Sequence, residues 1–150
     1  ALVDDDVVLV VEPGRLERGL AVLADGERLQ AAVAYVSRSG VALLTDLLEG
    51  WNGSLELVAR GAPITDPLAL ELLGERGASV RAVVGPRALK FHPKLWLSDS
   101  PGGLDVLSGS GNLTEGGLVT NEEQFELLRF GAGEGQIALQ HQRRFERFFA

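Results

Sequence analysis

Cysteine is absent from this 150-residue chain, which excludes a disulfide framework and thiolate metal sites. Histidine and lysine are almost absent, with two of each. No basic stretch precedes an apolar one at the start, and the early apolar run 7–11 is far too short to span a bilayer. A soluble, cytoplasmic protein with no stable membrane insertion is the expectation. Positive charge is also scarce: 14 Lys and Arg stand against 21 Asp and Glu, for a net charge of −7 and a pI near 4.8. That balance argues against an all-over electrostatic grip on nucleic acid, because affinity for phosphate backbones comes largely from Lys and Arg. It leaves room for a local basic cleft in an acidic body.

What is present is an ordinary globular composition. Hydrophobic residues at 45% and charged residues at 23% argue against disorder. A mass of 16.0 kDa is enough for one hydrophobic core. No repeat, low-complexity tract or linker interrupts the chain, so residues 1–150 read as a single domain.

The apolar run near the start is broken by Pro13 and Gly14. Leu16, Leu20 and Leu23 then recur at helical spacing, predicting a short helix over 15–26. A buried strand is expected over 29–36, a helix over 41–48 closed by Gly50, and a strand over 54–59. Asp66 followed by Pro67 marks the start of a helix over 68–76, and 79–84 reads as the next strand. This strand–helix alternation favours an α/β layered fold with a largely parallel sheet. The pattern then changes, with three strand-like pieces at 91–97, 104–107 and 125–130. A Ser-Pro-Gly-Gly turn joins the first two, predicting a hairpin and hence a mixed sheet. A short helical or turn segment is expected over 112–119. Residues 136–149 predict a helix with Ile137, Phe145, Phe148 and Phe149 on or near one stripe.

One of the two histidines and one of the two lysines sit two positions apart in FHPKLWLSD, residues 91–99. In a strand, such residues share a face, so His92 and Lys94 would present an imidazole beside an ammonium. Pro93 lacks a ladder donor and places the stretch at a strand start or sheet edge. The pair alone is weak, since short patterns arise by chance. Two further pieces change its weight. Gly109, Ser110, Gly111 and Asn112 follow a predicted strand, and small residues let backbone N–H groups and a hydroxyl approach an anion. A helix beginning near Asn112 would favour negative charge there. Asn121, Glu122 and Glu123 come next, offering an acid to receive the imidazole N–H and hold its tautomer.

Taken in order, His92-x-Lys94, Asp99, Gly109–Ser110-x-Asn112 and Asn121-x-Glu123 resemble the HKD signature of the phospholipase D superfamily, in its single-motif, nuclease-like form. The gap between Asp99 and Gly109 is longer than the short family spacing, which a longer hairpin would absorb. The resemblance implies an α/β fold, a mixed, largely parallel β-sheet flanked by helices on both faces, the phospholipase D-like α/β/α sandwich. It implies that His92 is the nucleophile on a phosphodiester phosphorus, forming a covalent phosphohistidine. Lys94 and Asn112 would hold non-bridging phosphate oxygens, with Ser110 as a further donor. Glu123 would orient and polarise His92, and Asp99 would be structural. Neither metal nor cofactor is implied.

The mechanism needs two histidines, one to attack and one to protonate the leaving oxygen. His141 has no Lys partner and flanks the packed stripe of the last helix, which marks it as structural or surface. The expectation is therefore a two-fold homodimer, each copy lending one motif to a shared site; the other possibility is that the chain is half of a longer one. Single-motif relatives of this kind are similar to small nucleases and to catalytic domains of metal-independent restriction enzymes. DNA or other nucleic acid is thus the leading substrate, with endonuclease activity. Arg38 and Lys90 are candidates for a substrate groove, with Arg87 nearby, while Arg143, Arg144 and Arg147 read as the polar face of the last helix. Two alternatives stay open. One is a phospholipid-hydrolysing or phosphatidyl-transferring enzyme, for which FERFF at 145–149 would be the apolar element, although burial in a core or interface explains it more simply. The other is a non-catalytic module that binds phosphate groups or a partner.

Overall fold

The computed structural model describes residues 5–10, 20, 23–120, 125–131 and 135–150, with 5–10, 119 and 120 described by backbone alone. Strand β1 spans Asp5–Val10 and β2 Arg28–Val33; helix α1 spans Arg38–Leu47. Strand β3 (Ser54–Arg60), helix α2 (Pro67–Glu75) and strand β4 (Ser79–Val83) follow. After a 3-10 helix at Gly85–Lys90 come β5 (Lys94–Ser100), β6 (Gly103–Gly109), β7 (Phe125–Gly131) and helix α3 (Gln136–Phe149). Of the helix expected over 15–26, only Leu20 and residues from Leu23 onward are among the described residues. Leu20 and Leu23 are both helical and fully buried.

The strands form one mixed sheet in the order β1-β7-β6-β5-β2-β3-β4. Its balance differs from the largely parallel sheet expected. Only β2–β3 and β3–β4 run parallel; β1–β7, β7–β6, β6–β5 and β5–β2 run antiparallel. The reason lies in the connections. A parallel neighbour needs a crossover, and α1 and α2 supply one each. Beyond β4 no α-helix separates the strands among the described residues, and the two-residue turn at Pro101–Gly102 can only return the chain antiparallel.

Caps set the two crossover helices. The Ser37 hydroxyl accepts from the Gly40 N–H at 3.1 Å, and Asp66 accepts from the Leu68 N–H at 3.0 Å with Pro67 in the first turn. Each such cap contributes about 0.5–2 kcal/mol. Gly103 closes the β5–β6 hairpin with φ of +141°, and a Cβ there would collide with the Phe130 carbonyl of the neighbouring strand. Gly103→Ala is therefore expected to destabilise the fold by about 1–3 kcal/mol, read as a lowered urea midpoint.

Helices cover both faces of the sheet, as expected. On one face Leu29, Ala31, Leu57, Trp96, Leu107 and Phe125 pack with Leu44 of α1 and Leu73 of α2. On the other, Val58, Leu95, Leu97, Val106 and Phe130 pack with Phe145 of α3. Burying a large apolar side chain stabilises by about 1.5–3 kcal/mol, so these two layers hold the sheet between them. Among the described residues, no helix is long and apolar enough to cross a membrane.

Candidate active site

The carboxyl ends of β2, β3 and β6 meet the starts of β5 and β7 at one edge of the sheet. Val33 pairs with Lys94, Leu95 with Ser108, and Gly109 with Phe125. The Arg60 N–H, at the end of β3, donates to the Ala34 carbonyl at 3.3 Å. In open α/β sheets, ligands bind in the crevice outside such strand ends.

His92 is not in the strand that the sequence pattern suggested. Phe91, His92 and Pro93 precede β5, whose first ladder pair is made by Lys94. Pro93 has no N–H to give, so pairing starts one residue later and the exposed imidazole sits in the approach to the strand. Lys94, half-buried, donates its Nζ to the His92 carbonyl at 3.1 Å.

A residue that sequence reasoning missed completes this corner. The Arg60 Nη2 lies 2.7 Å from His92 Nε2 and 3.3 Å from Nδ1. Arg60 also donates from Nε to the Phe91 carbonyl at 2.8 Å and from Nη2 to the Leu89 carbonyl at 3.3 Å. Nη2 is close to both ring nitrogens at once, so the guanidinium lies against the imidazole and not in line with the lone pair of either nitrogen. The available signal was a lone cation ending an apolar strand, SLELVAR, at the sheet edge where sites form.

Gly109 ends β6, and exposed Ser110 follows it. Asn112 accepts from the Tyr35 N–H through Oδ1 at 3.1 Å, which leaves its NH2 group as a donor. The backbone beside it is tied down: Leu113 N–H donates to the Tyr35 carbonyl and Ser37 N–H to the Leu113 carbonyl. Gly117 lies so close to the Asn112 backbone that a Cβ would collide with its carbonyl. The helical segment expected from 112 begins later, as a π-helical turn at Gly116–Thr120. Asn112 is thus held by loop hydrogen bonds and not by a helix N-terminus. Asn121, Glu122 and Glu123 lie outside the described residues; β7, which follows them, starts at this same edge.

The remaining candidates divide. Asp99 stands at the far end of β5 from Lys94, where it forms an ion pair with Arg28 at 3.3 Å across the β2–β5 ladder. Lys90 is exposed at the end of the 3-10 helix, two residues before His92. Arg38, at the start of α1, pairs with the capping Asp66 at 2.8 Å. Arg87 donates to the Phe148 carbonyl at 3.0 Å and covers the Phe91 ring at 5.5 Å, fastening the 3-10 helix to the end of α3. Arg143, Arg144 and Arg147 line a cavity of about 400 Å³ along α3 with Gln140 and His141.

His141 is remote from His92. Its ring lies 6.0 Å from that of Phe130, which is five residues along β7 from Phe125, about 17 Å at strand rise. Burial lowers its pKa below 6.5, and the Arg144 guanidinium, 3.0 Å from Nδ1, lowers it further. The unfolded ring takes up its proton near pH 6.5, and the native ring only at lower pH. Stability should therefore fall as pH drops through 6.5, and stop falling below the native pKa. Urea midpoints between pH 7.5 and 5 test this: His141→Gln is expected to flatten that part of the fall.

No protein-family model matches the chain, and no curated protein matches it in sequence. Solved structures do match it in fold. NucT from Helicobacter pylori aligns with a TM-score of 0.68 at 14% identity, over 97% of this chain and 96% of its own. Nuc from Salmonella typhimurium, a phospholipase D family member, aligns with a TM-score of 0.70 at 14% identity, over 97% and 94%. The phosphatidylserine synthase of Haemophilus influenzae Rd KW20 aligns with a TM-score of 0.58 at 16% identity, over 95% of this chain but 37% of that one. The seven-stranded sheet, covered on both faces and carrying His92 and Lys94 at one edge, has the fold of the phospholipase D superfamily.

Proposed function

We propose that this chain is a metal-independent phosphodiesterase, a nuclease that cleaves DNA or other nucleic acid within the strand through a covalent phosphohistidine. One observation carries the reading. Two cations, Lys94 and Arg60, flank His92, and among the described residues neither is paired with a carboxylate; their hydrogen bonds go to neutral carbonyls, and the Arg60 guanidinium lies against the ring. A nucleophile between two unneutralised donors suits an anionic substrate, because charge-assisted bonds to phosphate oxygens are about twice as strong as those to neutral acceptors. A module that only bound phosphate would have no need of the imidazole. End-to-end likeness to Nuc and NucT favours nucleic acid over phospholipid, since the phosphatidylserine synthase is matched over only 37% of its length.

In this mechanism His92 Nε2 attacks phosphorus and the bond to the leaving oxygen breaks. A second histidine gives that oxygen its proton. Water then attacks the phosphohistidine, losing a proton to the second histidine as the N–P bond breaks. Lys94, the Asn112 NH2 group and the Ser110 hydroxyl stabilise the charge on the non-bridging oxygens, and Glu123 holds the Nδ1 proton. With His141 packed near Phe130, at the other end of β7 from this edge, the second histidine is His92 of another copy, in a two-fold homodimer.

The reaction is tested by incubating the protein with single- and double-stranded DNA in excess chelator. Cleavage is expected to persist; its loss on chelation would refute the mechanism. Release of headgroup from phospholipid with no cleavage of DNA or RNA would turn the assignment to a lipid enzyme. Mass in solution tests the shared site, and a strict monomer that turns over substrate would exclude it.

A further inference from the structure

We infer that the α3 face bearing Arg143, Arg144 and Arg147 and the 3-10 face bearing Arg87 and Lys90 form one basic track, which holds the backbone of a nucleic-acid strand and leads it to His92. The inference rests on the phosphodiesterase reading for its destination. The track itself rests on placement and charge.

Helix periodicity builds the first half. Gln140, Arg143, Arg144 and Arg147 recur at intervals of three and four, so they share one face of α3, and with His141 they line the cavity of about 400 Å³. Phe145 faces the sheet instead. Glu146 is the one acid of this helix, and among the described residues no carboxylate pairs with any of the three arginines. The Arg144 Nη2 lies 3.0 Å from His141 Nδ1, and its Nε is buried with no acceptor. Three full charges therefore stand unneutralised on one face, in a chain of net charge −7. Such a cluster repels itself, and an anionic ligand relieves that repulsion.

The 3-10 helix brings the charge to the site. Its side chains eclipse at intervals of three, so the exposed Arg87 and Lys90 stand in one row. Arg87 donates to the Phe148 carbonyl at 3.0 Å, next to Arg147, and Lys90 is two residues before His92. Phe148, one turn beyond Arg144, packs edge-on against Phe91 at 5.6 Å. At 1.5 Å per residue, Arg143 to Arg147 covers about 6 Å of helix axis. Successive phosphates of one strand lie about 3.4 Å apart along a duplex axis, so the face spans about two of them. The negative dipole end of α3 amounts to about half a charge, which Arg147 and Arg87 together outweigh. A phospholipid brings one phosphodiester and would leave most of the track unmatched. A nucleic-acid strand repeats its charge along the row.

The test uses His92→Ala, which leaves the strand intact in the proposed mechanism and keeps His141 as the sole histidine. Adding Arg143→Gln and Arg147→Gln to it is expected to weaken binding of a single strand of about 16 nucleotides by about tenfold at low salt. The slope of log affinity against log salt should shrink by about 0.7 for each arginine removed. The His141 ring resonances are expected to move as strand is added. With His92 intact, the double substitution should raise KM for the strand and leave hydrolysis of bis(p-nitrophenyl) phosphate unchanged, because that diester has no flanking phosphates. Unchanged affinity and salt slope would overturn the track, as would equal losses on both substrates. Tighter binding of phosphatidylserine vesicles, or of inorganic polyphosphate of equal charge, than of the strand would overturn it as well. A changed mass in solution for the double variant would make this face a contact between copies and also overturn it. If the wild type hydrolysed no diester at all, the phosphodiesterase reading would fail, whereas the affinities would still decide whether the track holds a strand. Arg143 and Arg147 are both exposed, so urea midpoints of the variants should match their parents and separate lost binding from lost folding.

Discussion

His92→Ala is expected to lower kcat for DNA cleavage by about a thousand-fold or more, while DNA binding changes little. Removing a nucleophile abolishes the covalent route, and losses of this order or greater follow when a group acts as a unit with its partners. The binding groups stay in place: Lys94 bonds the backbone carbonyl of residue 92, which alanine also has. Asn112 is held from Tyr35, independently of the imidazole. Quenching the wild-type reaction in denaturant under alkaline conditions should yield a peptide phosphorylated at position 92, detectable by mass. Equal cleavage by His92→Ala would refute the histidine mechanism. The same variant mixed with wild type also probes the dimer. If each site needs two copies of His92, activity should fall more steeply than the wild-type fraction.

The second large effect is on stability. Phe145→Ala is expected to cost about 3–5 kcal/mol, the range for truncating a buried aromatic. Phe145 is 1% exposed and stands at the centre of the layer between α3 and the sheet, with the Phe149 ring 5.5 Å away. Such a loss is a large part of the total for an ordinary domain, roughly 5–15 kcal/mol. It corresponds to a melting temperature lowered by about 6–20 °C for a chain of this size. Phe145→Leu keeps most of the volume and should cost much less. The effect bears on the site as well. Phe148 packs edge-on against Phe91 at 5.6 Å, and Arg87 ties the last carbonyls of α3 to the segment leading to His92. Calorimetry and urea titration of the two variants test the prediction; equal melting temperatures for Phe145→Ala and wild type would show that α3 is not held by this ring.

Local chemistry made much of this protein legible from sequence. The apolar strands, the Asp66–Pro67 helix start, the Ser-Pro-Gly-Gly hairpin and the amphipathic last helix depend on residues within a few positions of one another. The set His92, Lys94, Ser110, Asn112 and Glu123 is what resemblance to the phospholipase D signature proposes for the site, and Glu123 lies outside the described residues. What the sequence could not determine depends on which strands become neighbours. Runs of β-branched and apolar residues predict strands without saying which way they pair, so the antiparallel majority emerged only from the connections after β4. The strand pattern around FHPKLWL also could not show that Pro93 delays pairing to Lys94 and leaves His92 in the approach to β5. Arg60 is the clearest case. It lies 32 residues before His92 in an unremarkable strand, and only the β2–β3 and β2–β5 ladders bring the end of β3 beside the start of β5. Spacing along a chain encodes local geometry, whereas proximity across a sheet is set by strand order, which is a property of the whole core.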